Sequence, residues 1–224
     1  MRTMADRTAP VVLRTRRIIT VLGAVAALIP VLGGAADRIP LPTDAAVRVP
    51  TGMIEHTVTL EDVTGPRTAG RRVRSELWLT DDRGRELVTD ALTGRVIAET
   101  SASRHEIRVY EPELDRITVE PRRGLPFASA AYEAAAQRAA LESGHTLEIG
   151  ERTVRGRRAL VTESPGGRTV TVVDAETYEL IERRTTLAGA VQTEVRTTEL
   201  LPAGSPRAKL DMRPHPGAKV VQAR

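Results

Sequence analysis

Beyond residue 52 the chain is written largely with a period of two. From Arg72 to Thr80, Val73, Ser75, Leu77 and Leu79 alternate with Arg74, Glu76, Trp78 and Thr80, which is the pattern of a half-buried strand. Asp81-Asp82-Arg83-Gly84 then predicts a tight turn whose aspartates cap backbone N–H groups and whose glycine takes a positive φ. Further strands are expected over 85–91, 95–101, 105–110 and 115–120, and one over 56–62 precedes them all. A single stretch breaks the rhythm. Ser129 is a suitable N-cap, residues 130–143 are rich in alanine, and Gly144 stands at the C′ position, so a helix is expected there. Phe127, Ala131, Ala134, Ala135 and Leu141 would give it a face of mostly small apolar groups for packing on a sheet. Strands resume over 145–150, 157–163, 168–174, 178–186 and 191–200, with hairpin-length connections between them. About eleven short strands at regular spacing predict a mainly β fold built from antiparallel hairpins, as a barrel or a sandwich.

The two ends read differently from the middle. Residues 18–36, IITVLGAVAALIPVLGGAA, carry no charge and follow Arg14, Arg16 and Arg17. A basic start, an apolar run and a small-residue end describe a secretory signal peptide cleaved after Ala36. The same run is close to the ~20 residues of a retained N-terminal membrane anchor. Either outcome places the rest of the chain on the outer side of the cytoplasmic membrane. Residues 37–52, with Pro40, Pro42 and Pro50, read as a Pro-rich linker, and 53–202 as the folded domain. Residues 203–224 hold Pro206, Pro214 and Pro216 without periodicity and are expected to form a flexible basic tail.

Charge and composition narrow the chemistry. The net charge is +4, yet the first 36 residues hold five arginines against Asp6, and residues 203–224 hold five basic groups against Asp211. The middle is left with an excess of acid, so a nucleic-acid partner is not indicated. Aromatic residues make up 2% of the chain, too few for a stacking platform. With no cysteine, a disulfide scaffold, a thiol nucleophile and a cysteine-based metal site are excluded. His56, His105, His145 and His215 are isolated in sequence and lack metal-ligand spacing. His105, on a strand face with Ile107 and Val109, reads as a partly buried structural histidine. No nucleophile elbow and no glycine-rich phosphate loop is present. The expectation is a protein that is not an enzyme and needs no cofactor.

Two stretches, LWLTDDRGRELVTDALTGRVIAETSASRHEIRVYEPELDRITVE and ERTVRGRRALVTESPGGRTVTVVDAETYELIERRTTLAGAVQTEVRTTELLP, resemble the LolA-like superfamily. That group joins the lipoprotein carriers and lipoprotein-sorting proteins with the MucB/RseB-type regulators. The resemblance lies in Arg108-Val109-Tyr110-Glu111-Pro112, in Gly156, Arg158 and Val161, and in the turn of Val173, Asp174 and Thr177. It implies an unclosed, strongly curved antiparallel β half-barrel whose concave side is apolar and closed by a helical lid. Such a protein would hold a lipid, a lipidated protein or another hydrophobic ligand. Alternation in the sequence puts Val73, Leu77 and Leu79 on one side, and with Ile107 and Val109 they are the candidate cavity lining. The same residues could instead fill a core against the helix. The resemblance equally implies a membrane-associated envelope-stress regulator that binds an anti-sigma factor. In either role the basic tail would suit an anionic membrane surface.

Overall fold

The computed structural model describes residues 48–223 apart from 66, 67 and 125. The expected leader and the linker up to residue 47 lie outside the described residues. Strands β1 (Met53–Gly65), β2 (Thr68–Leu79), β3 (Gly84–Asp90), β4 (Val96–Ala102), β5 (Glu106–Glu111) and β6 (Arg116–Pro121) form a meander. Helix α1 (Ala130–Glu142) follows, then β7 (Leu147–Val154), β8 (Arg157–Glu163), β9 (Thr169–Asp174), β10 (Leu180–Leu187), β11 (Ala190–Pro202) and β12 (Lys219–Gln222). All twelve strands belong to one sheet in the order β12-β6-β5-β4-β3-β2-β1-β11-β10-β9-β8-β7. Pairing is antiparallel throughout except for β12, which runs parallel to β6. The ends β12 and β7 do not meet, so the sheet is an open half-barrel that carries, among the described residues, one α-helix.

Local chemistry accounts for the elements. Asp90 accepts the backbone N–H groups of Leu92 and Thr93, and Asp174 those of Glu176 and Thr177. These Asx turns close two hairpins. The β2–β3 turn is made differently from expectation. The Thr80 hydroxyl accepts the N–H groups of Asp82 and Arg83, while Asp82 pairs with Arg104. Gly84 does not have a positive φ; it opens β3 beneath the ring of Phe127, where a side chain has no room. Helix α1 starts as expected, with the Ser129 hydroxyl accepting from the Tyr132 N–H at 3.1 Å, and Gly144 follows it at φ +72. Its buried positions are Ala130, Ala134 and Ala140, whereas Ala131 is exposed.

Residues 203–222 are not a flexible tail. They cross one face of the sheet as a strap and end as β12 along β6. Ala208 and Leu210 of the strap pack on a cluster of Ile54, Trp78 and Leu201. The Trp78 Nε1–H donates to the Arg207 carbonyl at 3.2 Å, and Trp78 is left 1% exposed. Truncating such an indole to alanine typically costs ~3–5 kcal/mol. The strap is held by sheet side chains reaching its backbone, with Trp78 and Arg85 donating to the Arg207 and Lys209 carbonyls and Glu99 accepting the Arg213 N–H, a mode of attachment that requires no alternation in its own sequence. The linker also ends in packed chain, since Val49 is buried.

Candidate functional site

Strand register assembles the candidate residues into rows. Thr57, Leu77, Glu86, Thr100 and Val109 lie opposite one another across β1 to β5, and Glu55, Leu79, Gly84, Ala102 and Ile107 form the neighbouring row. Alternation puts both rows on the same face. This is the helix side: Phe127 sits on Gly84 and Leu79, and the Ala130 N–H at the start of α1 donates to Glu55. Leu79 and Ala102 are buried, while Leu77, Ile107 and Val109 remain half-exposed. Val73 shares the face but stands opposite Glu61 and Asp90. Four residues apart on a strand is ~13 Å, so Val73 lies at a charged end rather than beside Leu77. The structure thus gathers Leu77, Leu79, Ile107 and Val109 and leaves Val73 apart.

The other half of the helix-side face is polar and covered. From Glu55, α1 runs toward β10, and its Arg138 lies over the ring of Tyr178 in the turn that precedes that strand. Glu55 is 4% exposed, and its burial pushes the carboxyl up to about 7 although the Ala130 N–H pulls it down. Arg196 ties the sheet to the helix by pairing with Glu133 and Glu194, and Arg183 also reaches Glu194 at 3.3 Å. The hydroxyls of Thr57 and Thr198 bond to each other at 3.1 Å, and Thr162 and Thr171 are buried farther along. The face is therefore divided between an apolar, partly open half on β2 to β5 and an ion-paired half under the helix.

Beneath the strap, on the opposite face, lies a second polar centre. Arg85 and Glu99 are 1% and 0% exposed and meet at 2.6 Å. Glu99 also accepts the Arg213 N–H at 2.8 Å and lies 2.9 Å from His215 Nε2. Burial pushes the Glu99 carboxyl up, but the Arg213 N–H, Arg85 and His215 together hold it below the usual carboxylate range. His215 stacks on Tyr110 at 3.5 Å, and His56 on Trp78 at 5.0 Å. His105 is exposed, just outside β5, which corrects the partly buried placement expected for it. A pocket of about 230 Å³ opens between β4, β5 and the strap, lined by Arg83, Ser101, Glu106, Arg108 and Asp211 among others. Its lining includes none of the five expected cavity residues. Among the described residues no group of His, Asp and Glu is arranged to hold a metal ion.

No family model matches the chain, and no curated protein matches it either. Among solved structures it is similar to an uncharacterized conserved protein from Thermus thermophilus, with 10% identity and a TM-score of 0.48 over 77% of this chain and 92% of that one. It is similar to a LolA superfamily protein from Nitrosomonas europaea at 8% identity and a TM-score of 0.34, over 74% of this chain and 93% of that chain. MucB in complex with MucA is matched at 14% identity and a TM-score of 0.42, over 75% of this chain and 57% of that one. Alternation along β2 is enough to place Leu77 and Leu79. It does not place Glu86 and Thr100 beside them, because cross-strand register is set by turn geometry. The signal lies in the spacing of the β2–β3 and β3–β4 turns.

Proposed function

We propose that the protein binds a hydrophobic ligand, a lipid or the acyl chain of a lipidated protein, on the open half of the helix-side face. The observation that carries this reading is that Leu77, Ile107 and Val109 stay half-exposed in adjoining rows beside the buried Leu79 and Ala102. A sheet face lined this way and left uncovered by its own helix suits an apolar guest. The role is binding without chemistry, since the charged groups under α1 are engaged with one another and with the helix N-terminus. We place the protein outside the cytoplasmic membrane, on the strength of Arg14, Arg16 and Arg17 followed by the apolar run 18–36.

The test is a titration with a neutral naphthylamine fluorophore on the exported protein, together with the Leu77→Trp variant. An open stripe gives saturable binding that Leu77→Trp weakens at least tenfold with little change in melting temperature. A filled core gives no binding in the parent and a variant destabilised by ~1–3 kcal/mol through overpacking, which would end the proposal.

A further inference from the structure

The apolar rows contain a polar pair that the packing does not use. Glu86 lies between Leu77 and Thr100 in the first row, and Thr100 lies between Glu86 and Val109. Thr100 is 5% exposed, and among the described residues its Oγ1 has no hydrogen-bond partner. A buried hydroxyl left unpaired costs ~1–3 kcal/mol, so such a group calls for a partner. Among the described residues Glu86 receives one side-chain hydrogen bond, from the Ser75 hydroxyl to Oε1 at 2.6 Å, and Oε2 has no partner. Burial raises its carboxyl above the usual range, against the weaker pulls of Ser75 and the Arg196 charge. Arg196 makes no hydrogen bond to it: its two terminal nitrogens serve Glu133 and Glu194, and its Nε has no partner among the described residues. The remaining charges on this face are mainly acidic: Glu55, Glu61, Asp90, Glu111, Glu120 and Glu194 are set against Arg71, Arg116, Arg183 and Arg196. Burial and the nearby Glu194 push Glu61 up as well.

We propose that this stripe is a subsite for an amphiphile whose polar group donates hydrogen bonds, a primary ammonium head above all, received by Glu86 and Thr100 between Leu77 and Val109. This rests on the reading of the face as a hydrophobic-ligand site and names the class of ligand. A donor head satisfies Glu86 Oε2 and the Thr100 hydroxyl together, while the chain follows Leu77, Val109 and Ile107. A carboxylate head meets a carboxylate at close range in a site shielded from water, where like charges repel strongly. The divided face therefore selects among lipids by the sign of the head group.

Three probes with the same pyrene-labelled hydrocarbon decide it: one ending in a primary ammonium, one ending in a carboxylate, and one with no head. With the full-length protein at pH 7, the ammonium probe should bind at least tenfold tighter than the carboxylate probe. Glu86→Gln keeps the Ser75 hydrogen bond and should reduce that preference to threefold or less, chiefly by weakening the ammonium probe. Thr100→Val should weaken the ammonium probe while leaving the headless probe unchanged. Equal affinities for the two charged probes, or a preference that survives Glu86→Gln, overturn the assignment while the headless probe still binds. If the headless probe does not bind, the hydrophobic-ligand reading itself fails, and the assignment with it.

Discussion

Replacing Gly84 by alanine puts a methyl group where the ring of Phe127 now sits. The new Cβ would stand 2.5 Å from Phe127 Cδ2, 2.8 Å from Cε2 and 3.0 Å from Leu79 Cδ1. Carbon atoms pack at ~3.5–4.0 Å, so the ring must retreat by ~1 Å or more. Leu79 is 2% exposed and has no room to yield, whereas Phe127 is half-exposed and can move outward. Overpacking of this kind costs ~1–3 kcal/mol, and alanine returns ~0.4–1 kcal/mol by restricting the unfolded chain. The net loss is ~1–2 kcal/mol, which for a domain of this size lowers the melting temperature by ~2–8 °C. Circular dichroism melts of the parent, Gly84→Ala, Phe127→Ala and the double variant form a cycle. In the Phe127→Ala background the alanine should be neutral or mildly stabilising, because its clash has gone. A Gly84→Ala protein that melts within about 1 °C of the parent, or a cycle with no coupling, refutes the seating of Phe127 on the sheet.

Three further outcomes are expected. Glu99→Gln strands the buried charge of Arg85 and should cost ~3–5 kcal/mol in urea unfolding; a loss below ~1 kcal/mol would mean the pair is not buried in solution. Glu55 has its carboxyl raised from 4.5 to about 7, so the folded state holds more protons between those values and stability falls as pH rises through that window, by up to ~3 kcal/mol. Glu61 and Glu86 shift in the same direction; Glu55→Gln should flatten the fall in melting temperature from pH 4.5 to 7, and an unchanged slope would count against the burial of this carboxyl. Deleting residues 204–224 uncovers Trp78, the sole tryptophan, and should red-shift its emission; an unchanged spectrum would mean the strap does not cover it.

The regular alternation of the middle segment makes the hairpins legible, and Ser129 with Gly144 makes the helix so. Trp78 shows where that legibility stops. Its neighbours Arg74, Glu76 and Thr80 mark a polar face, yet the indole is buried because Arg85 pairs with Glu99 on that face and Ala208 and Leu210 of the strap pack over the tryptophan cluster. The strap reads as a disordered tail because its prolines and lack of period describe disorder and an extended side-chain-held segment equally well. β1 is longer than its alternating core over 56–62, running Met53–Gly65, since it pairs along both edges and needs little apolar signal at its ends. In the candidate site the aliphatic residues follow from periodicity, while Glu86 and Thr100 depend on register between strands, which alternation within one strand does not carry and only the lengths of the two intervening turns fix.

The position of β1 has a consequence for how the molecule assembles. Its one edge pairs with β2, the next strand in the chain, but its other edge pairs with β11, where His56 meets Glu199 across 143 residues. All other antiparallel pairs join strands adjacent in sequence. The meander β1–β6 and the series β7–β11 can each zip from local hairpins, and the seam between β1 and β11 must close the longest loop in the sheet. Such non-local pairing is the slow part of β folding. While the chain emerges from its N-terminus, β1 has to wait with one edge bare until residue 202 arrives. An open strand edge invites wrong partners, and charged side chains are a standard guard against them. Glu55, Glu61 and Asp62 along β1 supply that guard before β11 arrives, and Glu55 afterwards receives the start of α1.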